Sequence, residues 1–234
     1  MTGLAKADKP RGGTVRSFVA VPLPADSRSA ILAAVHEPGP DGAPGLAARL
    51  PDLRWSRRPE NLHVTLKFLG QVDPLLLARF GEALSAALAP VAGFDVSLRG
   101  FGAFPSPRDA QVVWVGVDDP ARRLAAVAGI VEDLAGRLAV GEAPVGAPRP
   151  FRAHVTVGRA PRQFRQGVRH GVDATAALVP PSISERAFGR VPVSKIHLYE
   201  SITGGDASTY VLRGTATLEG ATHGDGKDRD QGRN

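Results

Sequence analysis

Two short segments of similar sequence carry the side chains best suited to chemistry. The segments NLHVTL and RAHVTV each place a threonine two positions after a histidine, within the alternating pattern of a strand. Residues i and i+2 of a strand point to the same face. His63 is therefore expected beside Thr65, and His154 beside Thr156. If the two strands are neighbours, two imidazoles and two hydroxyls converge on one cleft.

This set of side chains suits the hydrolysis of a phosphodiester. One imidazole can accept a proton from an attacking water while the other protonates the departing ribose oxygen. An ordinary histidine pKa near 6.5 allows both roles at neutral pH. The threonine hydroxyls can donate hydrogen bonds to the non-bridging phosphate oxygens as charge develops. No metal is needed for this arrangement.

Two alternative roles for the histidines compete with this chemistry. The first is that both are ordinary strand histidines. Six histidines and ten threonines in 234 residues predict roughly a quarter of one such pair by chance, so two pairs in matching contexts disfavour it. The second is a histidine metal site. It is disfavoured because Glu60 is the only acidic residue close to either motif.

The charge distribution favours an anionic partner. The chain carries 29 basic and 23 acidic residues, a net charge of +6, and residues 143–172 contain six arginines and no acidic residue. Arg159 lies at the end of the second motif strand and could reach a phosphate. The chain has no cysteine, no apolar run long enough for a membrane span and no secretory signal at its start, so we expect a cytoplasmic protein without membrane association.

The elements expected around the motifs alternate between strands and helices, with many Gly and Pro breakers. Strands are predicted over residues 15–23, 53–56, 62–69, 94–100, 112–117, 153–158, 193–201 and 209–218. Helices are predicted over residues 25–36, 74–88 and 120–140. A flexible lead (1–13) and a disordered tail (220–234) are expected to flank a single domain at 14–219. The interval between the motifs suggests two related lobes, each supplying one His-x-Thr strand.

The chain also resembles a known family. The segments RSFVAVPL, RW, PENLHVTLKFLG, GAFP, WVGV and PFRAHVTVGR look like the RNA 2′,3′-cyclic phosphodiesterase branch, or 2′-5′ RNA ligase family, of the 2H phosphoesterase superfamily. The resemblance runs over about residues 15–218. It implies an α+β, bilobal fold: two pseudo-symmetric lobes of antiparallel sheet with outer helices around a central cleft. The stretches 38–45 and 182–190, and the arginine-rich stretch after the second motif, match no motif of the family.

The resemblance also implies an activity. It is the metal-independent hydrolysis of RNA 2′,3′-cyclic phosphate ends to 2′-phosphomonoesters by a monomer without cofactor, with a reversible 2′-5′ ligase activity on RNA such as tRNA fragments. Two alternatives stay open: an RNA- or nucleotide-binding module without turnover, and a 2H enzyme acting on small cyclic nucleotides.

The resemblance assigns roles to individual residues as well. His154 would accept a proton from water and His63 would donate one to the leaving O3′. The remaining site residues would bind phosphate oxygens (Thr65, Thr156, Arg159) or contact base or ribose (Phe18, Phe151). Core packing is the alternative for both phenylalanines.

Overall fold

The computed structural model describes residues 13–39, 42–141, 150–161, 171–204 and 207–220. The strands of this part of the chain are β1 (Val15–Pro22), β2 (Arg54–Trp55), β3 (His63–Val72), β4 (Phe94–Ser106), β5 (Asp109–Asp118), β6 (His154–Arg159), β7 (Ala187–Val193), β8 (Lys195–Gly204) and β9 (Ala207–Thr217). The helices are α1 (Ala25–His36), α2 (Leu46–Arg49), α3 (Pro74–Leu88), α4 (Arg123–Arg137), α5 (Thr175–Leu178) and α6 (Pro181–Ser184), with a 3-10 turn at Pro59–Asn61.

The described strands form one antiparallel sheet that curls around the two motifs. Its order is β7-β4-β5-β6-β3-β1-β8-β9, and β2 pairs with β6 outside this path. The two motif strands, β3 and β6, therefore lie side by side at the centre, with three further strands on each side. This arrangement is the pseudo-symmetric, bilobal α+β fold that the sequence predicts, and the join between the lobes is the β3–β6 pair.

The helices cover one face of the sheet and leave the other open. The helix α3 begins where the Asp73 carboxylate accepts hydrogen bonds from two backbone N–H groups of its first turn. Its Leu77, Phe80 and Leu84 recur at helical spacing and are fully buried, at 3% exposure or less. The helices α3 and α4 pack against each other, and α4 packs on β3. Their apolar faces share one core with the motif residue Val64 and its equivalent in β6.

Most of the predicted elements are confirmed. The helices predicted over 25–36 and 74–88 have those bounds in the structure, and each predicted strand overlaps an observed one. The helix predicted over 120–140 is shorter, at Arg123–Arg137. Its start is delayed because Arg122 adopts a left-handed backbone (φ 53°) and the Asp119 carboxylate caps the N–H groups of Arg123 and Leu124.

Two stretches that lay outside the predicted strands and helices are regular in the structure. Residues 101–106, in the interval between the strands predicted over 94–100 and 112–117, are in fact the end of β4, which continues through Pro105 and turns directly into β5. Proline fits there because the strand register shifts between Phe104 and Pro105, and bulges tolerate a missing donor. The stretch 182–190, which matched no motif, contributes part of α6 and most of the edge strand β7. Gly189 and Pro192 weaken its strand pattern, and an edge position accepts both.

Other predictions lie at the margins of the described residues. The lead and the tail fall outside them except for Gly13 and Gly220, so the division into lead, domain and tail stays a prediction. None of the described helices is both long and apolar enough to span a membrane.

Candidate active site

The two motifs meet at the centre of the sheet. The strands β3 and β6 run antiparallel, with Val64 opposite Val155, and both valines are fully buried. This register sets His63 beside Thr156 and, symmetrically, sets the other histidine beside the other threonine. All four residues are half-buried on the face that the helices leave open, and the imidazole of His63 is more enclosed than that of His154. The convergence of two imidazoles and two hydroxyls, expected from the spacing, is what the fold produces.

A bulge brings Arg159 to the same face. Five residues separate it from His154, so a regular strand would send the two side chains to opposite faces. The ladder between β5 and β6 has one additional residue, Val157, between the partners of Trp114 and Val113. This bulge resets the alternation and returns Arg159 to the histidine side. The guanidinium lies close enough to lower the pKa of both motif histidines.

The first motif has the corresponding bulge. Leu66 is the additional residue between the β3 partners of Ala20 and Val19, and it stands three positions after His63, as Val157 stands after the second histidine. Phe68 is therefore returned to the histidine face. It is 59% exposed, its ring centroid lies 6.1 Å from that of Phe18, and it holds the place in the first lobe that Arg159 holds in the second. Sequence reasoning did not single out Phe68, because the bulge is not visible in the pattern.

His63 sits among aromatic rings. Phe18 stacks on the imidazole at 4.8 Å, and Tyr210 meets it edge-on at 5.3 Å. Burial, aided by the charges of Arg159 and the second histidine, lowers the pKa of His63 from 6.5 to about 4. The Asn61 carbonyl opposes this shift, but Nδ1 of His63 forms no hydrogen bond of standard geometry within the described part of the chain. The unliganded site thus holds this ring neutral at pH 7.

His154 is held differently. Its Nδ1 lies 2.7 Å from the Arg152 carbonyl oxygen, and Phe104 meets the ring edge-on at 5.1 Å. Since a carbonyl can only accept, Nδ1 carries the hydrogen and donates it, which leaves Nε2 of the neutral ring as a proton acceptor. Burial and the charges of Arg159 and Arg152 lower the pKa of His154, although the Arg152 carbonyl works in the opposite direction.

A further pair of side chains extends the first lobe's aromatic cluster. Tyr199 on β8 stacks on Phe18 at 5.3 Å, and its hydroxyl lies 2.8 Å from Nδ1 of His197. Burial raises the pKa of Tyr199 and of Tyr210, so both phenols stay protonated at neutral pH. Neither tyrosine was predicted as a site residue, since only the pairing of β8 and β9 onto β1 brings them to the motif.

The predicted contacts to base or ribose have the following positions. Phe18 is 3% exposed, because its ring is covered by the imidazole and the tyrosines. Phe151 is half-buried against the core. Lys67, which shares the strand of the first motif, forms a 2.7 Å ion pair with Glu132 on α4. Of the six arginines around the second motif, only Arg152 and Arg159 are among the described residues.

The described residues contain no group of three or more His, Asp or Glu side chains placed to hold a metal ion. What they do contain is a pair of imidazoles with the charges of Arg159 and Arg152 beside them. Both rings are neutral near pH 7 in the unliganded site, and a bound phosphate anion would raise the pKa of each. Such a site can hold one proton between two bases and deliver it across a phosphate.

Comparison with known proteins agrees with this geometry. The chain matches the family model described as LigT like Phosphoesterase over residues 37–114. It is 35% identical over 144 residues to the RNA 2′,3′-cyclic phosphodiesterase of Archaeoglobus fulgidus, covering 62% of this chain and 72% of the relative. The Escherichia coli protein of the same name is 32% identical over 148 residues, covering 62% and 71%. The crystal structure of Escherichia coli LigT complexed with 3′-AMP superposes with a TM-score of 0.61 at 26% identity, covering 88% of this chain and 99% of that one.

Proposed function

Because this chain belongs to the LigT-like phosphoesterases of the 2H phosphoesterase superfamily, we propose that it hydrolyses RNA 2′,3′-cyclic phosphate ends to 2′-phosphomonoesters. The observation that carries the proposal is the pairing of the two His-x-Thr strands about Val64 and Val155. That pairing places two imidazoles on one open face. Hydrolysis of a diester needs one imidazole near the entering oxygen and another near the leaving oxygen. The relatives from Archaeoglobus fulgidus and Escherichia coli bear names for this activity.

Each site residue has one role in the proposed reaction. Nε2 of His154 takes a proton from water as the water oxygen bonds to phosphorus. The bond from phosphorus to O3′ breaks, and His63 gives its proton to that oxygen, leaving the phosphate on O2′. Thr65 and Thr156 donate hydrogen bonds to the non-bridging oxygens, and Arg159 offsets the charge that develops there.

The tautomer of His154 fits its role as the base, whereas His63 needs the bound substrate to become the acid. The Arg152 carbonyl fixes the tautomer in which His154 can accept a proton. His63 must carry a proton to act as an acid, although burial holds its pKa at about 4 in the unliganded site. A bound phosphodiester is an anion that raises the pKa of His63, so this imidazole gains its proton when the substrate binds.

The substrate we propose is an RNA end, including the ends of tRNA fragments. The same chemistry, run with an RNA 5′-hydroxyl in place of water, gives reversible 2′-5′ ligation. The surface around the site favours a polyanion, because Arg54 lies opposite Arg159 in the β2–β6 pair and both side chains are exposed. The mechanism uses no metal or other cofactor. A monomeric state and a cytoplasmic location stay predictions.

The test is the hydrolysis of a short RNA ending in 2′,3′-cyclic phosphate, with EDTA present and with 2′- and 3′-phosphate products resolved. We expect the 2′-phosphate, and its loss in His63→Ala and in His154→Ala that fold as the wild type does. RNA that binds without turnover would replace the proposal with a binding module. Faster turnover of 2′,3′-cyclic mononucleotides than of the oligonucleotide would replace RNA with small cyclic nucleotides as the substrate.

A further inference from the structure

A cavity adjoins the site on the side of His154. Its volume is about 270 Å³, which is smaller than a typical drug-sized pocket and suits one nucleoside. Side chains from three strands and the segment before β6 line it, together with backbone of β5: Phe104, Trp114, Gly116, Val117, Arg152, Ala153 and His154. Among these, the proposed hydrolysis uses only His154 and the backbone carbonyl of Arg152, so the aromatic walls of the cavity take no part in it.

The walls of this cavity suit a flat ring. Trp114 and Phe104 lie with centroids 5.3 Å apart, and the guanidinium of Arg152 lies 5.1 Å from the Phe104 centroid. Aromatic and guanidinium faces of this kind stack on nucleobases of any sequence. Gly116 pairs with His154 across the β5–β6 ladder, and both residues line the cavity, so the imidazole forms part of its wall.

Two features show that the aromatic wall is fixed in place. A Cβ atom added at Gly102 would lie 2.3 Å from the indole of Trp114, so the ring is packed flat against the backbone of β4. The indole Nε1 is buried and has no hydrogen-bond partner among the described residues. Because this atom is covered by protein, that edge of the indole is packed against its surroundings.

The position of the cavity relative to the reaction identifies its occupant. In an in-line displacement the entering and leaving oxygens lie on opposite sides of phosphorus. O3′ and its ribose lie towards His63, because that histidine protonates O3′. The cavity beside His154 is therefore on the side of the entering oxygen. Because a water molecule needs no aromatic walls to bind, these walls indicate a larger entering group.

We propose that this cavity binds the nucleoside of a second RNA whose 5′-hydroxyl replaces water, with its base against Trp114 and Phe104. The inference rests on the proposed function, and it identifies where the RNA that attacks the cyclic phosphate binds. The 5′-oxygen bonds to phosphorus as its proton passes to Nε2 of His154. The bond from phosphorus to O3′ breaks, and O3′ takes the proton of His63. The product is a 2′-5′ phosphodiester beside a free 3′-hydroxyl, and no other reactant is consumed.

The experiment measures how one donor partitions between two acceptors. A labelled RNA ending in 2′,3′-cyclic phosphate is incubated with excess RNA bearing a 5′-hydroxyl, and the ratio of joined to hydrolysed donor is measured. This ratio cancels any change in donor binding. We expect Trp114→Leu and Phe104→Leu to lower the ratio tenfold or more. Phe68→Leu, which changes the exposed aromatic residue of the other lobe, should leave the ratio unchanged whatever it does to donor consumption.

The outcomes separate the inference from the function on which it rests. A wild type that consumes no donor contradicts the proposed function. A wild type that hydrolyses the donor but joins none at saturating acceptor overturns the acceptor site. An unchanged ratio in folded Trp114→Leu also overturns it. Trp114→Leu could leave the ratio of joined to hydrolysed donor unchanged and yet consume oligonucleotide donors more slowly relative to 2′,3′-cyclic AMP. In that case the cavity binds the donor strand, and the inference is wrong.

Discussion

The buried imidazole of His63 should make the stability of the whole chain depend on pH. Its pKa is about 4 in the folded protein and returns to 6.5 when the chain unfolds. Between these values the unfolded chain binds a proton that the folded chain does not, so stability rises with pH across that window. The contribution is fully present above pH 6.5 and is lost as the pH falls towards 4.

The size of this effect follows from the shift. A difference of about 2.5 pKa units corresponds to about 3 kcal/mol once the window has been crossed. Between pH 7 and pH 5 the same two pKa values give a loss of about 2 kcal/mol. His63→Gln removes the titrating group, so the variant should lose about 2 kcal/mol less than the wild type over this interval.

Urea unfolding at pH 7 and pH 5 measures the quantity directly. Each protein serves as its own reference, which cancels the cost of the substitution itself. His154→Gln is the matched control, and because His154 is less deeply buried it should reduce the pH dependence in the same direction by a smaller amount. The free energy of unfolding of the wild type and that of His63→Gln could instead fall by the same amount between pH 7 and pH 5, to within about 0.5 kcal/mol. Then His63 is not held neutral by burial, and the reasoning fails.

The pH optimum, Arg159 and Gly102 each provide a separate test of the site. Burial lowers the pKa of both motif histidines, so the singly protonated pair is most populated below pH 6.5 and kcat/KM should peak there; a peak above pH 7 would contradict this. Arg159→Ala should lower kcat/KM by about 10- to 100-fold, as expected for the loss of a hydrogen bond to a charged group. Arg159→Lys should retain part of the activity, because it keeps the positive charge. Steady-state kinetics on the cyclic-phosphate RNA measure both effects. Gly102→Ala should displace Trp114, costing about 1–3 kcal/mol in urea unfolding and changing the near-UV circular dichroism, whereas Gly129→Ala, a helix position with open space, should do neither.

The repeat of the His-x-Thr motif was enough to predict the centre of the site. Strand alternation puts Val64 in the core and His63 outside, and the two similar segments converge on one cleft if they are neighbours, which the pairing of Val64 with Val155 shows them to be. The polar and apolar alternation survives in the sequence because one face of each strand is packed and the other is open. For the same reason the helices α1 and α3 were predicted with correct bounds.

The remaining site residues depend on geometry that has no sequence pattern. The bulges at Leu66 and Val157 decide that Phe68 and Arg159 face the histidines, and a regular strand would have pointed both away. Tyr210 reaches the site because β9 pairs with β8 and β8 with β1, which is a tertiary contact across most of the chain. Phe68 and Tyr210 are therefore found only from the structure, whereas the sequence predicts Arg159 from its place at the end of the second motif strand.

The claim that two histidines act as one catalytic unit is tested most directly by a double-variant cycle. The rate of 2′-phosphate formation from a cyclic-phosphate RNA, with EDTA present, is measured for His63→Ala, His154→Ala and the double variant. If one histidine supplies the proton and the other receives it in a single step, each single variant should lose nearly all of the activity, and the double variant should lose little more. Losses that multiply in the double variant, or a single variant with near wild-type kcat, would contradict the shared role of the pair.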